Sequence, residues 1–403
     1  MSQLARYLAR YAEPEAVWAD GLISQSYRNV LVVPCYDEAF DDLARVIPEA
    51  AAELLVVVVV NVPSQAEPAA RQRTQALLQH LGGAGSRSLV AARRVDLLVV
   101  DRVNQPIPAK QGVGLARKIG ADCAAQLISA GNVSVPWIYC TDADAQLPSD
   151  YFTTATPERG GLIFNFRHAG DDDELHRKAQ LYELHLRYYQ KMLAECGSRY
   201  AFHALGSTLA LHATDYAIVR GFPKRNAGED FHLLNKLAKV APINSLATPT
   251  IQLRGRRSQR TPFGTGAALA KIGADAQYAS YAPASFALLS EVLAALEEAG
   301  TMGHLNVQGH AAELLEELGG AAFLAKAAQQ YSPGAQLQRA LREWFDALKT
   351  LRFIHACRRY HPDTPLLAAL AAQFACPPHR ESLLAKLSCS AQVTGTVGTG
   401  SQP

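Results

Sequence analysis

Short apolar runs alternate, along the first half of the chain, with longer stretches whose apolar residues recur at helical spacing. Each apolar run ends at a proline, an acid or a small polar residue, which is typical of a buried strand and the loop that follows it. The alternation predicts an α/β fold with a mostly parallel central sheet flanked by helices. The predicted strands begin at Asn29, Leu54, Val95, Trp137 and Leu162, and the predicted helices cover 39–52, 65–81, 112–129, 174–195 and 231–240.

The two ends of the chain have different patterns. Residues 4–18 predict an amphipathic helix that is broken near Pro14, and residues 202–211 predict two short β pieces around Gly206-Ser207. Beyond Tyr281 the chain is rich in Ala, Leu and Glu, which predicts a helical C-terminal region. The last residues, 388–403, are rich in Gly, Ser and Thr and predict a disordered tail.

Composition narrows the class of protein. The 403 residues are 49% hydrophobic and 19% charged, which fits a globular protein with a large core. Lys and Arg number 39 against 37 Asp and Glu, and this near balance argues against a nucleic-acid-binding protein. The seven cysteines include no Cys-x-x-Cys pair, so neither a disulfide framework nor a zinc finger is expected.

We expect a cytoplasmic protein, because no apolar run is long enough to span a bilayer and no secretory signal opens the chain. Peripheral membrane contact stays open.

The clearest chemical signal follows the predicted strand at Trp137. Asp142 and Asp144 stand two residues apart directly after this strand. Ligands of open α/β sheets bind at the carboxyl ends of strands, and Mg²⁺ takes one or two carboxylates together with phosphate oxygens. The pattern therefore predicts a site for Mg²⁺ or Mn²⁺ and a diphosphate. Residues 171–173 also contain an Asp-x-Asp triplet, but it lies in a polar stretch between Gly170 and Glu174, so we expect a solvated loop there.

Three further segments carry candidate chemistry. Residues 111–120 place glycines at a helix start with Arg117 and Lys118 in its early turns, which fits either a phosphate site or a flexible loop with a solvated Arg-Lys pair. Glu229 and Asp230 open another helix, where acids are also common for dipole reasons, after small residues at 206–208 and a turn at 220–223 that suggest a cavity. Residues 254–266 carry four arginines and fit a loop that closes over a diphosphate, a solvated basic loop or an RNA contact.

Taken in order, these segments resemble a known family. Val-Pro-Cys-Tyr-Asp-Glu at 33–38, Gly-Leu-Ala-Arg-Lys-Ile-Gly at 114–120, Asp-Ala-Asp, Gly-Ser, Gly-Phe-Pro and Gly-Glu-Asp are similar to the motifs of family 2 glycosyltransferases with the GT-A fold. The resemblance covers roughly Asn29 to Gly266. It does not cover the chain beyond about Tyr281. Together with the patterns of the two ends, it predicts four regions: an N-terminal helical extension (1–28), a GT-A domain (29–280), a helical C-terminal region (281–387) and the tail (388–403).

The resemblance also implies roles for individual residues. Pro34, Tyr36 and Glu38 match the motif that holds the nucleotide, with Asp37 where asparagine is usual, and Arg117 matches an arginine near the nucleotide. Asp144 matches the direct metal ligand and Asp142 a carboxylate nearer the ribose that also belongs to the metal motif. Asp230 matches the catalytic base of inverting members, with Glu229 beside it holding the acceptor. Beside these matches, we expect Arg256, Arg257 and Arg260 of the basic loop to stabilise the leaving diphosphate.

The implied function is the transfer of a hexose from a nucleoside-diphosphate sugar, such as a UDP- or GDP-sugar, to an acceptor hydroxyl. We expect an inverting, non-processive enzyme, because no Gln-x-x-Arg-Trp motif follows the arginines. A retaining GT-A transferase that makes a small glycosylated acid and a non-catalytic GT-A binding scaffold remain alternatives. A nucleotidyltransferase fits less well, since residues 34–38 lack a glycine-rich basic loop. The sugar, the acceptor and the oligomeric state are not indicated.

Overall fold

The structure is a computed structural model that describes residues 1–170, 172–255, 264–272 and 278–374, together with Leu383 and Leu387. These residues divide into two compact units. The first contains Met1–His176 and Ala204–Ala268, and the second contains Arg177–His203 and the described residues from Leu269 onward. All the predicted site residues that the structure describes lie in the first unit.

A nine-stranded sheet forms the centre of the first unit, in the order β3-β4-β2-β1-β5-β8-β7-β9-β6. Six strands (β4, β2, β1, β5, β7 and β9) run in one direction and three (β3, β8 and β6) in the other. The strands are β1 (Asn29–Cys35), β2 (Leu54–Pro63), β3 (Gly85–Val90), β4 (Val95–Ile107), β5 (Trp137–Cys140), β6 (Ala145–Gln146), β7 (Gly161–Gly170), β8 (Leu209–His212) and β9 (Ile243–Gly255). The predicted mostly parallel sheet is confirmed.

The valine-rich runs explain why the middle of this sheet forms where it does. Every residue of β1 is buried, and so is every residue of β2 before Pro63. Strands of a parallel sheet that is covered on both faces are apolar without alternation, as these two are. Helix α5 (Gly112–Ala130) contacts both strands, and helix α4 (Pro68–His80) contacts β2. The other helices of the first unit are α1 (Gln3–Tyr11), α2 (Glu15–Asp20), α3 (Phe40–Val46), α7 (Ala213–Ile218) and α8 (Glu229–Leu237). Helices α6 (Asp173–Glu195) and α9 (Thr265–Lys271) each have residues in both units.

The second unit is helical, as predicted, with a two-stranded ribbon. Its core contains buried leucines, phenylalanines and tyrosines such as Tyr188, Phe286 and Phe353. Its elements are β10 (Ala279–Ser280), α10 (Pro283–Met302), α11 (Gly309–Glu317), α12 (Gly320–Ala328), α13 (Ala335–Trp344), α14 (Ala347–Cys357), β11 (Thr364–Pro365) and α15 (Leu366–Phe374), and most of α6 belongs to it. The predicted tail at 388–403 lies outside the described residues.

Several predicted elements differ from the observed ones. The helix predicted over 39–52 ends at Val46, because the residue before Pro48 avoids the helical conformation. The region 202–211 contains one strand, β8, preceded by a short 3₁₀ turn at Gly206–Thr208, and not two β pieces. Strands β3 and β9 were not predicted, because β3 is half polar and β9 contains Pro249.

In the part of the chain that the structure covers, no helix combines the length and apolar character needed to cross a membrane. The five cysteines among the described residues are all reduced, and four of them are buried.

Candidate active site

The candidate site begins where β1 and β5 end side by side. Val30–Val32 pair in parallel with Ile138–Cys140, so the loops that follow leave the sheet at the same edge. These loops carry Tyr36 and Glu38 from one strand and Asp142 and Asp144 from the other. Burial raises the pKa of the Cys35 thiol well above its usual range, and the charges of Glu38, Asp142 and Asp144 raise it further. The three acids therefore converge around the end of β1, as the sequence predicted.

The backbone at Asp37 explains the residue type at this position. Asp37 has a φ of 60°, in the left-handed region that asparagine and aspartate adopt more readily than other residues with a side chain. Its N–H donates to Oγ1 of Thr74 at 3.0 Å, and its carboxylate accepts from Nε of Arg73 at 2.6 Å. Aspartate thus satisfies the same turn as asparagine and places Tyr36 and Glu38 on either side of it.

Arg117 links the two acidic pairs of the site. Its side chain is only 4% exposed, and it donates from Nη2 to Asp142 at 2.5 Å and from Nε to Glu229 at 2.9 Å. A third bond runs from Nη1 to the carbonyl oxygen of Gly206 at 2.9 Å. Burial opposes the charge, but the carboxylates of Asp142 and Glu229 hold the pKa of Arg117 above its usual value. A single buried cation thus joins α5 to the β5 loop and to the start of α8.

Small residues make room for this arginine. A Cβ on Gly206 would lie 2.5 Å from Nη2 of Arg117, so no larger residue fits there without moving the guanidinium. The hydroxyl of Thr141 donates to the carbonyl oxygen of Ser207 at 3.0 Å and holds the 3₁₀ turn against the end of β5. The sequence indicated a shaped cavity at 206–208, and the structure assigns this shape to the accommodation of Arg117.

Glu229 and Asp230 begin α8, which Gly228 introduces with a φ of 70°. Glu229 is buried against Arg117, whereas Asp230 is partly exposed. Partial burial and the charge of Glu229 raise the pKa of Asp230 to about 7, although Arg117 and the N–H of Phe231 favour its charged form. A carboxyl group with a pKa near neutrality is suited to accept and release a proton.

A cleft of about 300 Å³ opens beside Asp144. Asp42 accepts from Nη2 of Arg45 at 2.5 Å and lies 3.6 Å from Nη1 of Arg254. The cleft is therefore lined by two carboxylates, Asp42 and Asp144, and by two arginines, Arg45 and Arg254. Its polar lining is Asp42, Arg45, Asp144, Gln146, Gln252 and Arg254.

The glycines at the start of α5 bring another part of the chain close. A Cβ on Gly114 would lie 2.5 Å from the carbonyl oxygens of Pro223 and Arg225, and the N–H of Gly114 donates to Arg225 at 2.9 Å. A Cβ on Gly112 would lie 2.6 Å from Cα of Asn226. The loop that leads into α8 therefore covers this helix end, and a phosphate site at these glycines is not supported.

The alternative of a solvated Arg-Lys pair is also wrong, because Arg117 and Lys118 are both 4% exposed. Lys118 donates to Asp122 at 2.9 Å and to the hydroxyl of Tyr7 at 2.6 Å. The hydroxyls of Tyr7 and Tyr216 both donate to Asp122, at 2.5 and 2.8 Å. Sequence reasoning missed this network. The available signal was a lysine and an aspartate at positions i and i+4 on an otherwise apolar helix, a spacing at which side chains meet.

The chain offers two carboxylates to a metal ion at this site. Asp142 is 40% exposed although Arg117 holds one of its oxygens, and Asp144 lines the cleft. Among the described residues no group of three His, Cys, Asp or Glu could hold a metal alone. Two carboxylates suffice for Mg²⁺ when a substrate phosphate and water supply the other ligands, so the donor set fits such an ion. The predicted loop arginines Arg256, Arg257 and Arg260 lie outside the described residues.

No protein-family model matches the chain, and no curated protein matches it. Among solved structures, a crystal structure of S. aureus TarS residues 1–349 in complex with UDP-GlcNAc is similar over 90% of this chain and 88% of that chain. The identity is 12% and the TM-score is 0.36, and a likeness this weak carries no argument about fold or activity.

Proposed function

We propose that this protein is a glycosyltransferase that moves a sugar from a nucleoside-diphosphate donor to an acceptor hydroxyl with the help of Mg²⁺ or Mn²⁺. The observation that supports this most is the joining of the β5 acids to the α8 acids through buried Arg117. One side of this arrangement can bind a metal and a diphosphate, and the other can remove a proton from an acceptor. A reaction between a nucleotide sugar and a hydroxyl needs both, a few ångströms apart.

The donor would lie along the edge where β1 and β5 end. In this proposal Pro34, Tyr36 and Glu38 hold the base and ribose, and Asp142 lies between the ribose and the metal. Asp142 and Asp144 would hold the ion, which supplies positive charge to the departing diphosphate. Arg256, Arg257 and Arg260 would contact the same diphosphate from the loop after β9.

Asp230 would act as the general base. Its carboxylate takes the proton of the acceptor hydroxyl while the hydroxyl oxygen bonds to the anomeric carbon and the bond from that carbon to the diphosphate breaks. This single displacement inverts the anomeric centre. Glu229 is held by Arg117 and would orient Asp230 and the acceptor. Hydrogen bonding and charge fix these side chains before the substrate arrives, which is how a site lowers the cost of reaching the transition state.

The first test is thermal unfolding with UDP, GDP, ADP and dTDP, each with and without Mn²⁺. A ligand that binds only the folded state raises the melting temperature. We expect a metal-dependent rise with one nucleotide, its loss in Asp144→Ala, and its retention in Asp150→Ala, an exposed acid in the same loop. No rise with any nucleotide in the wild type would contradict the proposal.

A second measurement separates an enzyme from a scaffold that only binds. With the nucleotide sugar that the first test selects, we expect the wild type to release the nucleoside diphosphate in the presence of an acceptor. Asp230→Asn should keep the melting-temperature rise and lose turnover by about a hundredfold or more. Nucleotide binding without any turnover in the wild type would favour the non-catalytic scaffold. Retention of the anomeric configuration in the product would exclude Asp230 as the base of a single displacement.

A further inference from the structure

The first two helices expose more large apolar side chains than any other part of the described chain. Tyr11, Val17, Trp18 and Leu22 are 43%, 74%, 38% and 39% exposed, and Met1 is exposed as well. The other large hydrophobic residues exposed to this degree among the described residues are Val240, Met302 and Leu348, each far away in sequence. We call Tyr11, Val17, Trp18 and Leu22 the N-terminal apolar surface. Isolated exposed apolar residues are ordinary, but four of them between Tyr11 and Leu22 make this segment a candidate interaction site.

This surface is held rigidly on the first unit. The hydroxyl of Tyr7 in α1 donates to Asp122 of α5, and the N–H of Glu13, between α1 and α2, donates to the same carboxylate at 2.8 Å. Ala16 and Ala19 of α2 are buried, and this helix packs on α5. Tyr11, Val17 and Trp18 are therefore exposed residues of two anchored helices, and Leu22 follows the second helix directly, so their exposure is not a consequence of a loose chain end.

The charges beside the surface are mainly positive. Arg6 and Arg10 are exposed at positions i and i+4 of α1, and the guanidinium of Arg220 lies 4.7 Å over the ring of Tyr11. The acids in this region are Glu13, Glu15 and Asp20. Glu13 forms an ion pair with Lys224 at 2.7 Å, and Glu15 forms one with Arg102 at 3.0 Å. The apolar side chains are thus accompanied by arginines whose charge is not neutralised by these acids.

We propose that the N-terminal apolar surface docks on an anionic lipid bilayer. Tryptophan and tyrosine favour the boundary between lipid headgroups and acyl chains, and arginines beside them attract anionic headgroups. A second copy of the chain fits less well. In a two-fold symmetric contact the same surface meets itself, which brings the positive charges of two copies into one interface. The docking is independent of the proposed transfer reaction, because none of its residues belongs to the candidate active site.

Co-sedimentation with lipid vesicles tests this inference. We expect the full chain to sediment with vesicles of equal phosphatidylcholine and phosphatidylglycerol, much less with pure phosphatidylcholine, and less at high salt. The double variant Arg6→Gln/Arg10→Gln should lose affinity about fivefold for each arginine removed. Val17→Ser/Trp18→Ser should lose binding to the anionic vesicles, whereas Met302→Ser, an equally exposed residue of the second unit, should bind as the wild type does.

The melting temperatures of Arg6→Gln/Arg10→Gln and Met302→Ser should match that of the wild type, because these side chains are largely exposed. Trp18 is 38% exposed, so the melting temperature of Val17→Ser/Trp18→Ser is measured to establish that this variant is folded at the temperature of the vesicle assay. Absence of sedimentation with anionic vesicles would overturn the inference, as would equal binding by the wild type and Val17→Ser/Trp18→Ser. Sedimentation velocity tests whether the N-terminal apolar surface instead binds a second copy of the chain. A wild-type dimer that Val17→Ser/Trp18→Ser dissociates, without vesicle binding, would assign the surface to a second copy and overturn lipid docking.

Discussion

Substitution of Arg117 should lower both stability and nucleotide binding, because this side chain is buried together with the carboxylate of Glu229. In Arg117→Ala this carboxylate has no cation within the site, and removing one partner of a buried ion pair costs about 3–5 kcal/mol. We expect a fall of that order in the free energy of unfolding, measured by urea denaturation, together with loss of any nucleotide-dependent stabilisation.

The matched control for this prediction is Arg339→Ala. Arg339 pairs with Glu343 on the surface of α13, with 73% of its side chain exposed. Exposed pairs of this kind contribute little, so the urea midpoint should stay at the wild-type value. Equal effects of the two substitutions would refute the assignment of Arg117 as the link between the two acidic pairs.

Asp230 makes stability depend on pH in a direction that can be worked out. Its pKa is raised to about 7 by partial burial and by Glu229, whereas an aspartate in an unfolded chain titrates near about 4. Between these values the folded state holds more protons than the unfolded state, so stability falls as the pH rises through this range. Asparagine does not titrate, so Asp230→Asn removes the part of this fall in stability that comes from Asp230. Its melting temperature should therefore exceed that of the wild type above about pH 7, and the difference should shrink toward about pH 4.

The control for this prediction is Asp150→Asn, which changes a carboxylate that contacts water in the folded state. Its melting temperature should follow that of the wild type across the same pH range. A difference between Asp230→Asn and the wild type that does not vary with pH would show that the carboxyl of Asp230 is not perturbed. If Asp230 is the base, turnover should rise through the same range, because the base must be deprotonated to accept a proton.

The packing of α5 against its neighbours depends on three glycines, Gly112, Gly114 and Gly120. A Cβ on Gly120 would lie 2.4 Å from Cγ1 of Val32, and one on Gly114 would meet backbone oxygens of the loop before α8. Backbone atoms cannot move as cheaply as a flexible side chain. Gly114→Ala should therefore displace the loop and α8 with it, at a cost of about 1–3 kcal/mol in the free energy of unfolding.

The same substitution should impair turnover, because Glu229 and Asp230 follow the displaced loop directly. Gly21→Ala is the appropriate comparison, since a Cβ there would meet a single atom at 3.7 Å and the φ of −69° suits alanine. The free energy of unfolding measured by urea denaturation and the rate of nucleotide release should be the same in this control as in the wild type. Wild-type behaviour of Gly114→Ala would mean that the loop can move without disturbing α8.

The first unit as a whole depends on the attachment of the N-terminal helices to α5. The hydroxyl of Tyr7 is shared by Asp122 and Lys118, and all three side chains are buried. Tyr7→Phe leaves these groups short of one hydrogen bond, and an unsatisfied buried group costs about 1–3 kcal/mol. We expect a loss of this size by urea denaturation, and increased proteolysis within residues 1–28 if α1 detaches.

Tyr11→Phe is the matched change on the same helix. The ring of Tyr11 is 43% exposed and carries Arg220 over its face, an interaction that phenylalanine preserves. Its stability and its resistance to protease should equal those of the wild type. Equal losses in both variants would mean that the loss does not depend on the buried hydrogen bonds of the Tyr7 hydroxyl, and would contradict the prediction.

Much of the architecture was predictable because its signals are local. The apolar runs of β1, β2 and β5 and the helical spacing of α4 and α5 identified the covered parallel sheet, and the position of Asp142 and Asp144 after a strand indicated which edge carries the site. Strand β9 was missed because its first half is only partly buried and includes a proline, and β3 because it begins with Gly, Ser, Arg and Ser and none of its residues is fully buried.

The chemistry of the site depends on contacts that no local pattern encodes. Arg117 and Glu229 are separated by 112 residues, and Tyr7 and Asp122 by 115. Composition and spacing predict that a charged residue tends to be solvated. Arg117 is buried because carboxylates from distant elements pair with it, and Lys118 because Asp122 of the same helix and Tyr7 of α1 bind its ammonium group. Likewise, the glycines of α5 appeared suited to a phosphate, whereas their neighbours turned out to be the backbone of residues 223–226. Hydrophobic periodicity thus specifies which elements form and which faces they bury, but the pairing of buried charges follows from the packing of elements that are remote in the chain.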